Sequence, residues 1–451
     1  MGNARTDQGD EIAMSSSTET TLETQKLGPL QLRVAFLCML AQIFDGFDIS
    51  SIGMAVPALI KAWGLPAPMF ANTFVMSSVG IMIGALCSGP AGDRIGRKPV
   101  LVASLFVLGL SSLGCSQVTT IPQLVWLRMF TGIGIGMLLP ATVALTSDYV
   151  PERLRAAVIM VVFTGAPLGG FLGKVLVAKL LPSYGWPMIF WIGGLLPLAL
   201  IPVLMIWLPE SPRFLLTKGN LSAGARRLLD RLGIDPAAPA GPVDVAQGNP
   251  VAGLFRDGLT VTTILIWIMF FSNLLSMYLI SYWMPTVLSL SGLSTPDAVF
   301  ASSMGDAGPL LSIFLMAPLT TKFGATHVIR VMLFIGIVVI AVMGLASLPY
   351  LVLLGVIFLI GACTVGSQTG LNGMTGALYP ARIRNTGMAW ALGVGRLGAI
   401  IGPYLGGLLL AEGLPPRQIF LMACVTAAVA TLAVICLGVV NKRRAAAGVY
   451  A

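Results

Sequence analysis

GPAGDRIGRK, residues 89–98, places Asp93 and three basic residues, Arg94, Arg97 and Lys98, between two long apolar runs at about 69–92 and 99–116. Each run has roughly the 20 residues that a helix needs to cross a 30 Å hydrocarbon core. The charged turn therefore reads as a loop at one face of a bilayer, joining two antiparallel spans. Its glycines, Gly89 and Gly96 among them, let the flanking helices approach closely. Asp93 and its basic neighbours are placed to form a charge-linked latch at that face.

The same alternation repeats along the chain. Apolar runs fall at about 33–59, 69–92, 99–116, 123–147, 156–181, 188–208, 259–289, 297–320, 328–346, 351–379, 386–411 and 417–440. Composition agrees: of 451 residues, 56% are hydrophobic and 10% are charged, against about 25% charged in a soluble chain. Inside lipid the backbone must satisfy its own hydrogen bonds, so such spans are helices. The expected fold is an all-α polytopic membrane protein, with twelve transmembrane helices in two pseudo-symmetric six-helix halves.

The charges orient it. With the N-terminus inside, about 21 of the 27 Lys and Arg residues lie on or next to the inner side, while Lys61, Lys174, Lys179 and Arg417 lie outside and Arg128 and Arg396 within spans. This bias accounts for the net charge of +9 without a nucleic-acid partner. It predicts a bacterial inner-membrane protein with both termini cytoplasmic. Residues 1–28 are polar and acidic, lack the pattern of a signal peptide, and are expected to form a disordered tail. Residues 29–208 and 259–440 are the two halves, 209–258 a central cytoplasmic loop, and 441–451 a C-terminal tail.

The halves resemble each other. YVPERLRAA (149–157) and LYPARIRNT (378–386) share P-x-R-[LI]-R, at Pro151 and Pro380, an offset of 229. An offset of 228 lays Gly92–Gly96 over Thr320–Gly324, with Thr321 where the first copy has Asp93. The second latch is therefore expected to be weaker. Internal repeats of membrane halves are common in secondary transporters, whose ligand site lies near the midplane between them.

Several motifs carry a family likeness. GPAGDRIGRK resembles the loop after the second helix of the major facilitator superfamily. RMFTGIGIGMLLP (128–140), GAPLGGFLG (165–173) and PESPRFL (209–215) resemble its fourth helix, its fifth helix and the segment after its sixth. DGFDISSIGMAVPAL (45–59) and GSQTGLNGMTGALYPARIRNTGMAWALGVGRLGAIIGP (366–403) are similar to the aromatic acid:proton symporter family. The resemblance implies a proton-coupled importer of hydroxybenzoate-like carboxylates, working by alternating access. It also implies that the first-helix acids are needed for transport, and that Arg128 links proton and substrate movement; an interfacial arginine that snorkels outward is the other reading.

The buried polar residues can be read physically. Asp45 and Asp48 are three apart, on one helix face. Each intramembrane Asp costs about 2.5–3.5 kcal/mol on insertion scales, so such residues are functional by default. Two like charges this close, away from water, favour holding one proton between them; a structural pair tied to Arg or Ser is the alternative. Arg396, among glycines in mid-span, offers a planar fork to a substrate carboxylate, unless an Asp holds it. Gln368 and Asn372, four apart, could bind a ring hydroxyl or only a neighbouring helix. Phe47, Tyr278 and Trp390 are candidates for aromatic pocket walls. Asp306 is a third intramembrane acid, either a second proton site or a partner for an Arg.

The six cysteines lie in apolar runs without metal or disulfide spacing. His327, the single histidine, falls in a loop, so a histidine proton relay is excluded. No metal or other cofactor is expected, and no nucleotide-binding or HExxH motif points to a pump or membrane enzyme. The expected partners are a small aromatic carboxylate, a proton and the lipid bilayer, with the protein a monomer. Other facilitators remain as rivals: a sugar or non-aromatic carboxylate symporter, or a drug/proton antiporter.

Overall fold

The computed structural model describes residues 27–218, 223–232, 250–256 and 258–446. Most of the expected N-terminal tail, much of the central loop and the last five residues lie outside these. Among the described residues, twelve helices are long and apolar enough to cross a membrane. They are α1 (Pro29–Trp63), α2 (Ala71–Ile95), α3 (Arg97–Cys115), α4 (Ile121–Tyr149), α5 (Glu152–Tyr184, interrupted at Thr164) and α6 (Pro187–Trp207). The second half has α7 (Thr260–Leu290), α8 (Thr295–Phe323), α9 (Ala325–Leu345), α10 (Tyr350–Leu378), α11 (Ala381–Ala411) and α12 (Leu421–Ala446). Short helices at Pro212–Lys218, Ala223–Leu232 and Pro250–Gly253 lie between the halves in sequence. An even number of crossings puts Pro29 and Ala446 on one side, here called the terminal face.

Small residues set the packing within each half. In lipid, helices associate through close backbone contact rather than through the hydrophobic effect. Gly46 of α1 lies against the Ala166 backbone of α5, and Gly169 of α5 against the Ile43 carbonyl. Gly132 of α4 meets the Ser77 carbonyl of α2 in the same way. The second half repeats both crossings: Gly398 of α11 on the Phe271 carbonyl of α7, and Gly361 of α10 on the Gly305 carbonyl of α8. A Cβ at any of these positions would overlap backbone. The repeat read from sequence is thus a repeat of helix pairings, α1·α5 and α2·α4 against α7·α11 and α8·α10.

Between the halves, α1 meets α7, α2 meets α11, and α5 meets α8. The seam is shut at the face opposite the termini. Phe74 of α2 stacks on Tyr282 at 4.9 Å and meets Trp283 edge-on at 5.1 Å, both on α7. Lys61 donates to the Thr295 hydroxyl at 2.8 Å, and Ala71 packs on Gly407. At the terminal face a cleft of about 440 Å³ remains, lined by Met160 of the first half and by Met316, Thr320, Thr369 and Met374 of the second. The molecule is therefore closed on one side and open on the other.

Candidate functional site

Asp48 lies in mid-α1 with no exposed surface. Its Oδ2 accepts from Arg128 Nη1 of α4 at 2.9 Å, and its Oδ1 from the Ser112 hydroxyl of α3 at 3.0 Å. The guanidinium, also fully buried, donates further to Ser51 Oγ at 3.1 Å, to the Asp48 carbonyl at 3.1 Å and to Ser77 Oγ at 3.2 Å. A buried ion pair is tolerated only when hydrogen bonds satisfy its remaining valences, and this one meets that condition. Four helices converge on it. Arg128 points into the first half and does not snorkel.

Asp45, one turn away, has a different environment. It is 2% exposed, and its Oδ1 is buried without a hydrogen-bond partner. The charges that act on it are those of Asp48 and of Arg396 across the seam. The two acids thus do not share one set of partners: Arg128 and the hydroxyls around it claim Asp48 and leave Asp45 apart. Arg396 of α11 is half-buried, and its Nη1 donates to the Tyr278 hydroxyl of α7 at 3.1 Å. Among the described residues, no carboxylate lies within ion-pairing distance of it. Tyr278 in turn meets Tyr282 edge-on at 5.5 Å. Nearby on α7, Asn273 donates to Gln368 Oε1 at 2.9 Å, and Gln368 to Asn372 Oδ1 at 3.2 Å, a polar chain between α7 and α10.

At the terminal face, Gly96 turns the chain from α2 into α3 with φ +103°, a left-handed conformation that suits glycine. Glu210, after α6, sits against this turn. Its Oε1 accepts from the backbone N–H groups of Arg97 at 2.9 Å, Lys98 at 3.1 Å and Ser211 at 2.9 Å. A carboxylate thereby caps free N–H groups of α3, where the helix dipole favours negative charge. Asp93 pairs with Arg97 at 2.7 Å, but its side chain is 69% exposed. An exposed pair of this kind contributes about 0–1 kcal/mol, so the latch centres on Glu210 rather than Asp93. Lys98 also holds the Met205 carbonyl at 2.7 Å. Arg94 is exposed, and no atom lies within 4 Å of where a Gly89 Cβ would stand, so close approach does not explain that glycine.

A family model described as Major Facilitator Superfamily matches residues 38–308 and 307–448. The chain belongs to the major facilitator superfamily. Membership makes it a multi-pass membrane transport protein rather than an enzyme. It is 34% identical over 436 residues to the 4-hydroxybenzoate transporter PcaK of Pseudomonas putida, covering 95% of this chain and 97% of that one. It is 33% identical to the gallate transporter of Pseudomonas putida, covering 92% and 94%. The partially occluded inward-open structure of the xylose transporter XylE from E. coli is similar with a TM-score of 0.70, over 90% of this chain and 97% of that one. At 17% identity this last likeness concerns the facilitator fold alone.

Within this facilitator the expected site residues divide. Asp45, Arg396 and Tyr278 lie at the seam between the halves, with Gln368 and Asn372 on the neighbouring α10. Phe47 does not join them: its ring packs on Gly173 of α5 and Gly193 of α6 inside the first half. Trp390 is 43% exposed and stacks on Trp267 at 5.7 Å. It lies about 120° round α11 from Arg396, by the helical repeat. Asp306 is held by a lysine, Lys174 of α5, at 2.6 Å. Charge counting put Lys174 at the outer face, but its side chain is 5% exposed within a membrane helix. The rule that intramembrane cations mark function was the signal that would have found it. Asn273, Ser112 and Ser77 carry no such signal, since isolated Ser and Asn are ordinary in membrane helices.

Proposed function

We propose that this facilitator is a proton-coupled symporter that carries an aromatic carboxylate across the bacterial inner membrane, with both termini cytoplasmic. The observation that carries the reading is Arg396: a mid-membrane guanidinium at the seam, held by a tyrosine hydroxyl and free of any carboxylate among the described residues. A planar fork of this kind suits a substrate carboxylate. The named substrates of the relatives support an aromatic ring beside it, and Tyr278 and Tyr282 supply a wall. Asp45 takes and releases the proton, because its buried oxygen lacks a partner and a proton removes the charge. Asp48 and Arg128 stay paired and fix α1 against α4. The terminal-face cleft is then the cytoplasmic exit.

The test is uptake of labelled 4-hydroxybenzoate into proteoliposomes, with an inward pH gradient imposed and then collapsed by an ionophore. Concentrative uptake is expected only with the gradient, and Asp45→Asn should retain binding but lose accumulation. Uptake of xylose with none of the benzoate, or undiminished accumulation by Asp45→Asn, would refute the reading.

A further inference from the structure

Lys174 is on α5 and Asp306 on α8, so their ion pair crosses the seam between the halves. The lysine side chain is 5% exposed and the aspartate 23%. Beyond Asp306, the ammonium makes one long hydrogen bond, 3.4 Å to the Ser302 carbonyl. An ammonium has three donors, so Lys174 has capacity for a further acceptor. Asp306 Oδ2 is buried and meets the lysine at 2.6 Å. Space is kept beside it by Gly170, where a Cβ would stand 3.0 Å from Oδ2 and 3.1 Å from the Ser50 hydroxyl.

The internal repeat gives this lysine a place along the pathway. The 229-residue offset that relates Pro151 to Pro380 sets Arg396 of α11 over Pro167 of α5. Lys174 is seven residues beyond that point, about 10 Å nearer the opposite face at 1.5 Å per residue. The fifth helix of each half thus carries a cation that is buried or half-buried, Lys174 in α5 and Arg396 in α11, at two different depths. The repeat does not require it, since Pro403 occupies the position that corresponds to Lys174.

We propose that Lys174 is a second carboxylate-binding residue for the transported anion. In the state closed at the opposite face, Asp306 fills it. When the seam parts there, the pair separates and the ammonium meets the arriving anion before Arg396 does. Closure brings Asp306 back, and its carboxylate displaces the substrate's toward Arg396. The lysine keeps a counter-charge in both states, which a buried cation requires. This rests on the aromatic-carboxylate reading above.

The experiment compares wild type, Lys174→Gln, Lys174→Arg, Asp306→Asn and the double variant Lys174→Gln/Asp306→Asn, as full-length protein in proteoliposomes taking up labelled 4-hydroxybenzoate. Lys174→Gln is expected to raise KM about tenfold, the loss of one 1.4 kcal/mol contact. Lys174→Arg, which keeps the charge, recovers most of that loss. Asp306→Asn removes the competitor, so it lowers KM and, because displacement fails, lowers kcat. The double variant follows Lys174→Gln. A pair that only locks the halves together would shift KM in the same direction in both single variants. That outcome, or an unchanged KM in Lys174→Gln, overturns the proposal. Should Lys174→Gln not fold, the sign of the Asp306→Asn shift decides alone. Wild type that takes up no aromatic carboxylate sinks the underlying reading and this inference with it. Wild-type uptake with matching single-variant shifts sinks only the inference.

Discussion

Replacing Arg128 by Gln is the sharpest probe of the first half. The guanidinium makes four hydrogen bonds, two of them to Asp48: one to its carboxylate and one to its own carbonyl. Neither residue has exposed surface, so solvent cannot take over the lost contacts. Arg128→Gln leaves the Asp48 carboxylate with one hydrogen-bond partner, Ser112, and no counter-ion. Breaking a buried pair in this way costs about 3–5 kcal/mol, because the remaining charge is stranded. Asp48→Asn should cost a similar amount by stranding the arginine. The double variant strands neither, so it should be more stable than the sum of the single losses by about 2 kcal/mol or more. Equilibrium unfolding of the purified protein in mixed micelles, run as a double-mutant cycle, gives the coupling energy directly. A coupling below about 0.5 kcal/mol, within the error of additivity, would mean that the pair is not a unit, and the division of roles between Asp48 and Asp45 would fall with it.

Other outcomes follow from the same geometry. Asp45→Asn should change stability by no more than about 0.5 kcal/mol, since no ion pair is lost; a loss comparable to that of Arg128→Gln in the same unfolding assay would show that Asp45 is structural. Arg396→Lys should weaken carboxylate binding by isothermal titration and Arg396→Gln should weaken it further, because the charge survives in the first but the fork does not; equal binding in all three proteins would remove Arg396 from the site. A Cβ at Gly407 would overlap that of Ala71 where the seam is shut, so Gly407→Leu should hinder closure of that face and lower the uptake rate, whereas undiminished uptake would show that this contact is not needed in the cycle.

The fold was legible because bilayer thickness writes itself into the sequence as run length. The helices nevertheless outrun the hydrophobic windows: α1 extends over Pro29–Trp63 where the apolar run covers about 33–59, and α8 over Thr295–Phe323 against about 297–320. Hydropathy registers only the lipid-buried part, while the helix continues until a residue can end it, as Gly64 does with φ +63° and Gly324 with φ +81°. The site was legible in kind but not in pairing. That Asp48, Arg128 and Arg396 are polar residues within membrane spans follows from one-dimensional context. That Arg128 belongs to Asp48, eighty positions away, depends on α1 and α4 being neighbours. Phe47 and Trp390 were misleading for a related reason: periodicity says which residues share a face, but not which face meets the other half.

Among the described residues, six charged side chains lie along the middle of the bundle: Asp45, Asp48, Arg128, Lys174, Asp306 and Arg396. Three are acids and three are bases. Arg128 neutralises Asp48, and Lys174 neutralises Asp306, each within ion-pairing distance. Asp45 and Arg396 remain, one on each half, close enough for their charges to act on each other but not joined. On the proposed reading this remainder is the coupling device. A monoanion bound at Arg396 cancels the charge that had balanced Asp45. A buried carboxylate without compensation costs several kcal/mol, so the anion-bound, unprotonated state is scarcely populated and the loaded carrier takes a proton. One free acid and one free base fix the ratio at one proton per monoanion, which moves no net charge. Uptake should then follow the pH gradient and ignore a potassium–valinomycin potential. A rate that rises with that potential would require a second proton, for which Asp306 is the place, since its pair with Lys174 parts in the proposed cycle.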